Sequence, residues 1–374
     1  MSRELSIYLD LLRILAAFAV LFGHASGFTG GMFWQIAQCP GEAVAVFFVL
    51  SGYFISHVIA SGKENAEQYV VARMARIYSV ALPAIAITLL FDAIGVHSRP
   101  DLYFGNHYFN GDAGLYEILR YVTFTNEIWS AHVIVGTNEP YWSLGFEVWY
   151  YVLFGYWCFS RQRLPAKLGI LALGLLLIGP QISIYFPLWL MGVAAHRLTA
   201  RPGSGEVTRD LFGIAAFLST FLLLAALVYF RMSMAQRGVS LGSIIYPPNP
   251  VLQGPKLTYF YGLGFCTALH VVAAKYVLRT RVLQGMIHFV EKPIRWLAGG
   301  TFALYLFHQP ILICMSAIIP REYGSRSWGA AVIGATLGLV YFFAELSERR
   351  KSFWRKTIVS IWNLIGGRTV ASVR

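Results

Sequence analysis

Between residue 6 and residue 347 the sequence keeps returning to runs of 14 to 21 mostly apolar residues, with the charges gathered in the segments between them. A helix needs about 20 such residues to cross the hydrocarbon of a bilayer, and inside lipid it satisfies its own backbone hydrogen bonds. The runs read as membrane spans at 6–26, 41–60, 77–96, 140–158, 167–180, 182–197, 210–230, 257–276, 300–319 and 327–347. Charged residues are 13% of the chain and apolar types 57%; a soluble protein carries about 25% charged residues, so a soluble domain is excluded. The expectation is an all-α polytopic membrane protein, with about ten transmembrane helices in a single bundle.

A net charge of +12 raises the question of nucleic acid, and the placement of the charges answers it. Lys and Arg concentrate in the cytoplasmic segments of membrane proteins. With the N terminus inside, 22 Lys and Arg residues fall on the cytoplasmic side, and 7 fall outside: Arg99, Arg120, Arg231, Arg237, Lys256, Arg321 and Arg326. Ten crossings return the C terminus to the cytoplasm, and no nucleic-acid partner is expected. Only 29 residues separate Lys167 from Arg197, so the two spans between them are short or tilted, with Pro180 at their turn. The first run has the outline of a secretory signal, but Asp10 and Arg13 inside it argue for a retained span.

An ionisable group within a span costs several kcal/mol unless it faces the bundle interior or water, which makes each one a functional candidate. In the first span Arg13 and His24 are eleven residues apart, three helical turns plus about 20°, and share one face. Asp10 lies three residues before Arg13, close enough to pair with it. Arg73 and Arg76 open the third span on the cytoplasmic side; they read either as topology anchors or as a clamp on the phosphoryl oxygens of a cytoplasmic donor. Glu147 lies about 10 Å below the outer boundary by helix rise, at a depth near that of His24. It is either a packing carboxylate or the group that orients the imidazole. His308 lies near mid-membrane, two residues before Pro310, where it either lines a cavity or satisfies a helix contact. Together the groups form a depth series along which a transferred group could travel.

The longest outer connection, 97–139, carries Tyr103, Phe104, Tyr108, Phe109, Tyr116 and Trp129, and reads as an aromatic belt at the interface or a lid over an outward-facing site. Cys39, Cys158, Cys266 and Cys314 lack metal-ligand spacing and read as structural, and no metal is expected.

Five strings in order resemble the acyltransferase-3 family of integral membrane proteins that O-acylate bacterial surface and secreted polysaccharides. ELSIYLDLLRILAAFAVLFGH supplies the family's opening acidic residue, Arg and His on Asp10, Arg13 and His24. FFVLSGYFIS at 47–56 is similar to its second-helix signature, and RMARIYSVALPA places an Arg-x-x-Arg on Arg73 and Arg76. YWSLGFEVWYY puts Trp-Ser-Leu and a later Glu on Trp142, Ser143 and Glu147; TFALYLFHQPIL puts Tyr-Leu-x-His-x-Pro on Tyr305, His308 and Pro310. The departures are Tyr53 where Phe is frequent, Gly145 and Phe146 within the Glu motif, and SERRKSFWR where Glu-x-Pro is usual.

The resemblance implies a transmembrane acyltransferase domain over 1–356 with a cytoplasmic tail at 357–374, of the standalone type without an appended esterase-like domain, in the bacterial inner (cytoplasmic) membrane. It implies acetyl-CoA or another acyl-CoA as donor, with Arg73 and Arg76 on its phosphates, and a glycan or lipid-linked sugar as acceptor. Membrane lipids surround the domain, and a separate extracytoplasmic protein that takes over the acyl group is a further candidate partner. His24 is then a general base or a transient acyl carrier, helped by Glu147, Arg13 and Asp10; His308, Trp142, Ser143 and Tyr305 line the substrate cavity. A transporter or flippase for a lipid-linked sugar is the competing class, because intramembrane charges also line pathways.

Overall fold

Every predicted span lies on a helix in the computed structural model, which describes residues 1–29, 31–33, 36, 39–104, 109–111, 114–201, 207–236, 257–320 and 326–366. Tyr108 of the outer connection, Arg237, Lys256, Arg321, Arg368 and Arg374 of the charge count, and the tail beyond 366 lie outside the described residues. The long helices are α1 (Arg3–Phe28), α2 (Pro40–Ala60), α3 (Ala66–Ser98), α6 (Trp142–Phe159), α7 (Leu164–Ile178), α8 (Pro180–Ala200), α9 (Val207–Gln236), α10 (Leu257–Val277), α13 (Thr301–Ile318) and α14 (Arg326–Leu346). Shorter ones are α4 (Pro100–Phe104), α5 (Leu115–Val122), α11 (Arg281–Phe289), α12 (Glu291–Ala298) and α15 (Lys351–Gly366).

Among the described residues seven helices are long and apolar enough to cross a membrane: α1, α2, α3, α9, α10, α13 and α14. Against the expected ten, α6, α7 and α8 fall short. α7 has 15 residues, while α6 and α8 dilute their apolar runs with Glu147, Tyr150 and Tyr151, and with Gln181, Pro187 and His196. The chain is a multi-pass membrane protein whose residues gather into two compact units, one formed by Met1–Val20, Gln38–Ala60 and Pro180–Ala298, the other by Leu21–Ala37, Ser61–Gly179 and Gly299–Arg374.

In the first unit Leu5, Leu9, Val49, Leu50, Tyr53, Ala195, Val271 and Ala274 form the core. α2 and α8 touch backbone to backbone: a Cβ on Gly52 would lie 1.9 Å from the Trp189 carbonyl oxygen, and one on Gly192 would lie 1.8 Å from that of Val49. Small residues give this close approach between membrane helices. Buried polar pairs add to it, Ser56 Oγ with His196 Nδ1 at 2.8 Å and the Tyr53 hydroxyl with Thr199 Oγ1 at 2.8 Å. Tyr53, where the family pattern often has Phe, thus has a partner for its extra hydroxyl. His270 is bonded on both ring nitrogens, by Tyr8 at 2.7 Å and Thr220 at 3.0 Å.

In the second unit α3 runs along α13 and α15, and α13 packs on α14. α3 starts at Ala66, before the Arg73–Arg76 segment expected to open it, because Asn65 and Gln68 form a capping box: Asn65 accepts from the Gln68 N–H at 2.8 Å, and the Asn65 N–H is taken by the Gln68 side chain at 3.1 Å. Such a reciprocal cap satisfies two of the orphan donors of a helix start. Arg73 and Arg76 therefore lie two turns inside a helix rather than at its opening. The stretch after residue 350 is helical through Gly366; Ile358, Val359 and Trp362 pack on Val71, Met74, Ala75 and Tyr78 of α3, and Trp362 donates to Glu67 at 2.6 Å.

The 97–139 connection, expected as a belt or a lid, has both an inner and an outer face. Tyr103, Tyr121, Asn126, Glu127, Thr137 and Asn138 are buried in it, and Phe104, Tyr116 and Trp129 point outward. Gly145, the small residue within the Glu motif, lets α6 meet this cover: a Cβ there would lie 3.0 Å from Asn126 Oδ1.

Candidate active site

The last turns of α1 belong to the second unit, and there His24 meets His308 of α13. Their Nδ1 and Nε2 atoms are 2.8 Å apart, with the rings near parallel at 12°. The direction of this bond follows from the other side of His308, whose Nδ1 lies 2.9 Å from the carbonyl oxygens of Leu304 and Tyr305. A carbonyl only accepts, so Nδ1 of His308 carries the proton, and in the neutral ring Nε2 is then an acceptor. His24 donates to it through Nδ1–H. Nε2 of His24 is left with a lone pair and no partner among the described residues. His308 is 1% exposed while His24 is only partly covered, so the fixed ring is the deeper one and the ring with the unused nitrogen is the more accessible.

Glu147, expected beside His24, accepts instead from the Tyr151 hydroxyl one turn along α6; the ring partner of His24 is His308. The physical reason is spacing: the two residues are four apart on one helix, where side chains meet without help from tertiary packing. Trp142 and Ser143 open the same helix. Ser143 Oγ and the Tyr305 hydroxyl are 2.6 Å apart and buried, which ties the start of α6 to the α13 turn that carries His308. Trp142 packs edge-on against Phe146.

Asp10 does pair with Arg13, but at 3.4 Å, and its closer partner is Arg295 of α12. Arg295 also donates to Ser6 at 2.9 Å, and the Arg13 guanidinium lies over the Phe54 ring at 5.7 Å. Along the sequence Arg295 reads only as a cytoplasmic charge, since nothing there links positions 10 and 295.

Arg73 and Arg76 lie on one side of α3 with aromatic company. Arg73 is over Tyr69 at 5.9 Å and 3.9 Å from Glu64, and Arg76 is over Phe302 at 5.9 Å. Nε of Arg73 is buried without a partner, and Arg76 has no carboxylate within ion-pair distance among the described residues. Cationic donors held on aromatic faces, with one carboxylate between the two of them, suit an anion. No group of three or more His, Cys, Asp or Glu side chains able to hold a metal occurs among the described residues.

Three residues that hold this site were not singled out along the chain. Glu348, in the segment where the family pattern has Glu-x-Pro, accepts from the Ala303 N–H at 2.9 Å. It caps the start of the helix that carries Tyr305 and His308, where a carboxylate is favoured. Asp92, 6% exposed in α3, accepts from the Thr137 N–H at 2.8 Å and its hydroxyl at 2.6 Å. Asn138 bridges Thr88 at 2.9 Å and the Leu306 carbonyl at 3.1 Å. The rule that flags Glu147 as an ionisable group inside a span applies equally to Asp92; Asn138 and Glu348 lie outside the spans and carry no such signal. Further out, His132 bonds Glu127 at 3.4 Å, and that bond raises its pKa above the ordinary imidazole value.

Comparison with known proteins converges on one chemistry. A family profile described as an acyltransferase domain matches residues 6–345. Among curated proteins, the peptidoglycan O-acetyltransferase OatA of Listeria monocytogenes is 23% identical over 410 residues, a match that takes in 98% of this chain. The chain spans 61% of that relative's length. No solved structure matches it significantly.

Proposed function

This chain belongs to the acyltransferase-3 family, and we propose that it moves an acyl group, acetyl in the first instance, from cytoplasmic acyl-CoA to a sugar hydroxyl of a surface or exported glycan. The observation that carries the reading is the His24–His308 pair, which offers one imidazole nitrogen as a base while the other is held by a fixed acceptor. In this reading Nε2 of His24 takes the proton of the acceptor hydroxyl as its oxygen attacks the thioester carbonyl. The C–O bond forms, the C–S bond breaks, and the proton passes on to the departing thiolate. The imidazolium that exists in between is stabilised by its Nδ1–H bond to His308, the part that a carboxylate plays in hydrolytic triads.

Arg73 and Arg76 are assigned to the phosphates of the donor, because Nε of Arg73 has no hydrogen-bond partner among the described residues and Arg76 has no carboxylate within ion-pair distance among them. Ser143 and Tyr305, joined hydroxyl to hydroxyl one turn from His308, are assigned to the wall of the acceptor site together with Trp142. Asp10 and Arg13 form a charged cluster with Arg295, and Glu147 is assigned to holding Tyr151 rather than His24. The acetyl group and the glycan class are suggested by the relative from Listeria.

The test is His24→Ala in membrane vesicles supplied with radiolabelled acetyl-CoA, with label in the envelope glycan as the readout and membrane level of the protein matched. Loss of a general base lowers a rate by about 10²–10⁴-fold. Incorporation within threefold of wild type would remove His24 from the chemistry.

A further inference from the structure

α13 contains a proline in its middle, Pro310, and stays helical from Thr301 to Ile318. Proline has no N–H, so the carbonyl four residues earlier loses its helical partner. That carbonyl belongs to Leu306, between Tyr305 and His308, and it is the atom that the Asn138 side chain reaches, Nδ2 to oxygen at 3.1 Å. The orientation of the Asn138 amide is settled by its second contact. Thr88 Oγ1 already gives its only proton to the Ala84 carbonyl at 2.7 Å, so toward Asn138, 2.9 Å away, it accepts. Both protons of the Asn138 Nδ2 are thus spent on acceptors. Its Oδ1 is left buried with no donor among the described residues, a penalty that the reversed amide would exceed by setting its oxygen against the Leu306 carbonyl.

The segment that carries Asn138 is itself held at several points. Thr137 is clamped by Asp92 through its N–H and its hydroxyl, and the Asn138 carbonyl accepts from the Tyr121 hydroxyl at 3.0 Å. Gly136 has φ +54, and a Cβ there would lie 2.0 Å from Asp92 Oδ2, so this approach needs glycine. Asn138 is 1% exposed, and five residues later the same stretch supplies Ser143, which meets Tyr305.

From these contacts we infer that Asn138 is a positioning residue: it replaces the hydrogen bond that Pro310 removes, and so holds the α13 turn whose carbonyls of Leu304 and Tyr305 fix the His308 tautomer. The inference rests on the acyl-transfer reading of His24 and His308 for its kinetic consequence, but the bond itself is testable without it. Asn138 acts through Leu306 and touches none of the reacting atoms.

A double-mutant cycle between Asn138 and Pro310 tests it, because Pro310→Ala returns an N–H to the Leu306 carbonyl by another route. With radiolabelled acetyl-CoA and membrane vesicles, Asn138→Ala is expected to lower kcat about 10-fold, equivalent to about 1.4 kcal/mol, with the KM for acetyl-CoA within twofold. Asn138→Asp, nearly the same shape but with an acceptor where two donors are needed, is expected to be worse than Ala. Pro310→Ala in the Asn138→Ala background is expected to bring kcat back to within threefold of wild type. Thermal unfolding in detergent of the four corners of the cycle, wild type, Asn138→Ala, Pro310→Ala and the double variant, reports the bond independently of activity, so an inactive wild type would sink the acyl-transfer reading and leave the cycle standing. If Asn138→Ala fails to accumulate, recovery of folded protein in the double variant supports the inference. Equal losses with and without Pro310, in kcat or in folded yield, overturn it, as does an Asp variant as active as wild type.

Discussion

Buried histidines in the first unit are spent on both sides of the ring, whereas in the second unit the buried His308 meets a partly covered histidine, His24, that is spent on one side only among the described residues. His196 is bonded by Ser56 at Nδ1 and by His57 at Nε2, and His270 by Thr220 and Tyr8. Thr220 gives its proton to helix carbonyls, so it accepts from His270 Nδ1, and the Tyr8 hydroxyl then donates to Nε2. An imidazole so saturated is helix-to-helix glue. In the second unit His308 is saturated in the same way, and its saturation is what leaves His24 with one committed nitrogen and one available. The arginines divide similarly. Arg295 of the first unit is taken up by Asp10 and Arg3 by Glu291, while Arg76 of the second lies over the ring of Phe302 with no carboxylate in ion-pair distance among the described residues. An ionisable residue in a membrane helix becomes a functional candidate when its partners leave something over, and the count of polar residues cannot show that.

The sharpest way to break this contrast is to exchange histidines across it. His308→Ala should cost at least 100-fold in acyl incorporation, since it frees the His24 tautomer, and His308→Gln, which can keep an acceptor toward Nδ1–H, should recover about 10-fold of that. His270→Ala should instead lower the unfolding temperature by leaving the Tyr8 hydroxyl without its acceptor, at about 1–3 kcal/mol, and keep the rate per folded molecule within threefold. Equal catalytic losses at 270 and 308 would erase the distinction. The arginine contrast comes next: Arg73→Gln with Arg76→Gln should raise the KM for acetyl-CoA about 10-fold or more, with a smaller effect on acetyl-pantetheine, which lacks the phosphates. Equal effects on the two donors would return the pair to anchoring the helix.

The smallest effect lies in the outer cover. His132 is about half exposed, and its pKa is raised first by the hydrogen bond to Glu127. A raised histidine pKa means that the folded state binds the proton more tightly. The bond therefore adds stability that is full below the ordinary histidine value and is lost as pH rises through the folded pKa. Exposure limits it to less than about 1 kcal/mol. His132→Gln should flatten the fall in unfolding temperature across that range; an unchanged slope would show that the bond contributes nothing.

Much of the helical order was legible, because lipid demands runs of apolar residues and the runs stand out from the charges that bound them. The start of α3 was misplaced although Asn65 and Gln68 announce it, since hydropathy sees the apolar stretch and not the polar turns that precede it. Asp10, Arg13 and His24 could be put on one face by counting residues. The partner of His24 could not, because His308 is 284 positions away, and a carboxylate at similar depth was the natural guess. Glu147 finds a nearer hydroxyl on its own helix, and the imidazole takes another imidazole.

By itself the sequence determined that this protein crosses a membrane many times and belongs among the acyltransferases, because apolar length and short ordered motifs are local properties of the chain. Only the tertiary structure decided which polar groups remain available. Whether a buried nitrogen is spent or spare depends on donors and acceptors brought together from distant helices, as with Pro310, whose missing N–H is a fact of the sequence and whose substitute, Asn138, is a fact of the fold.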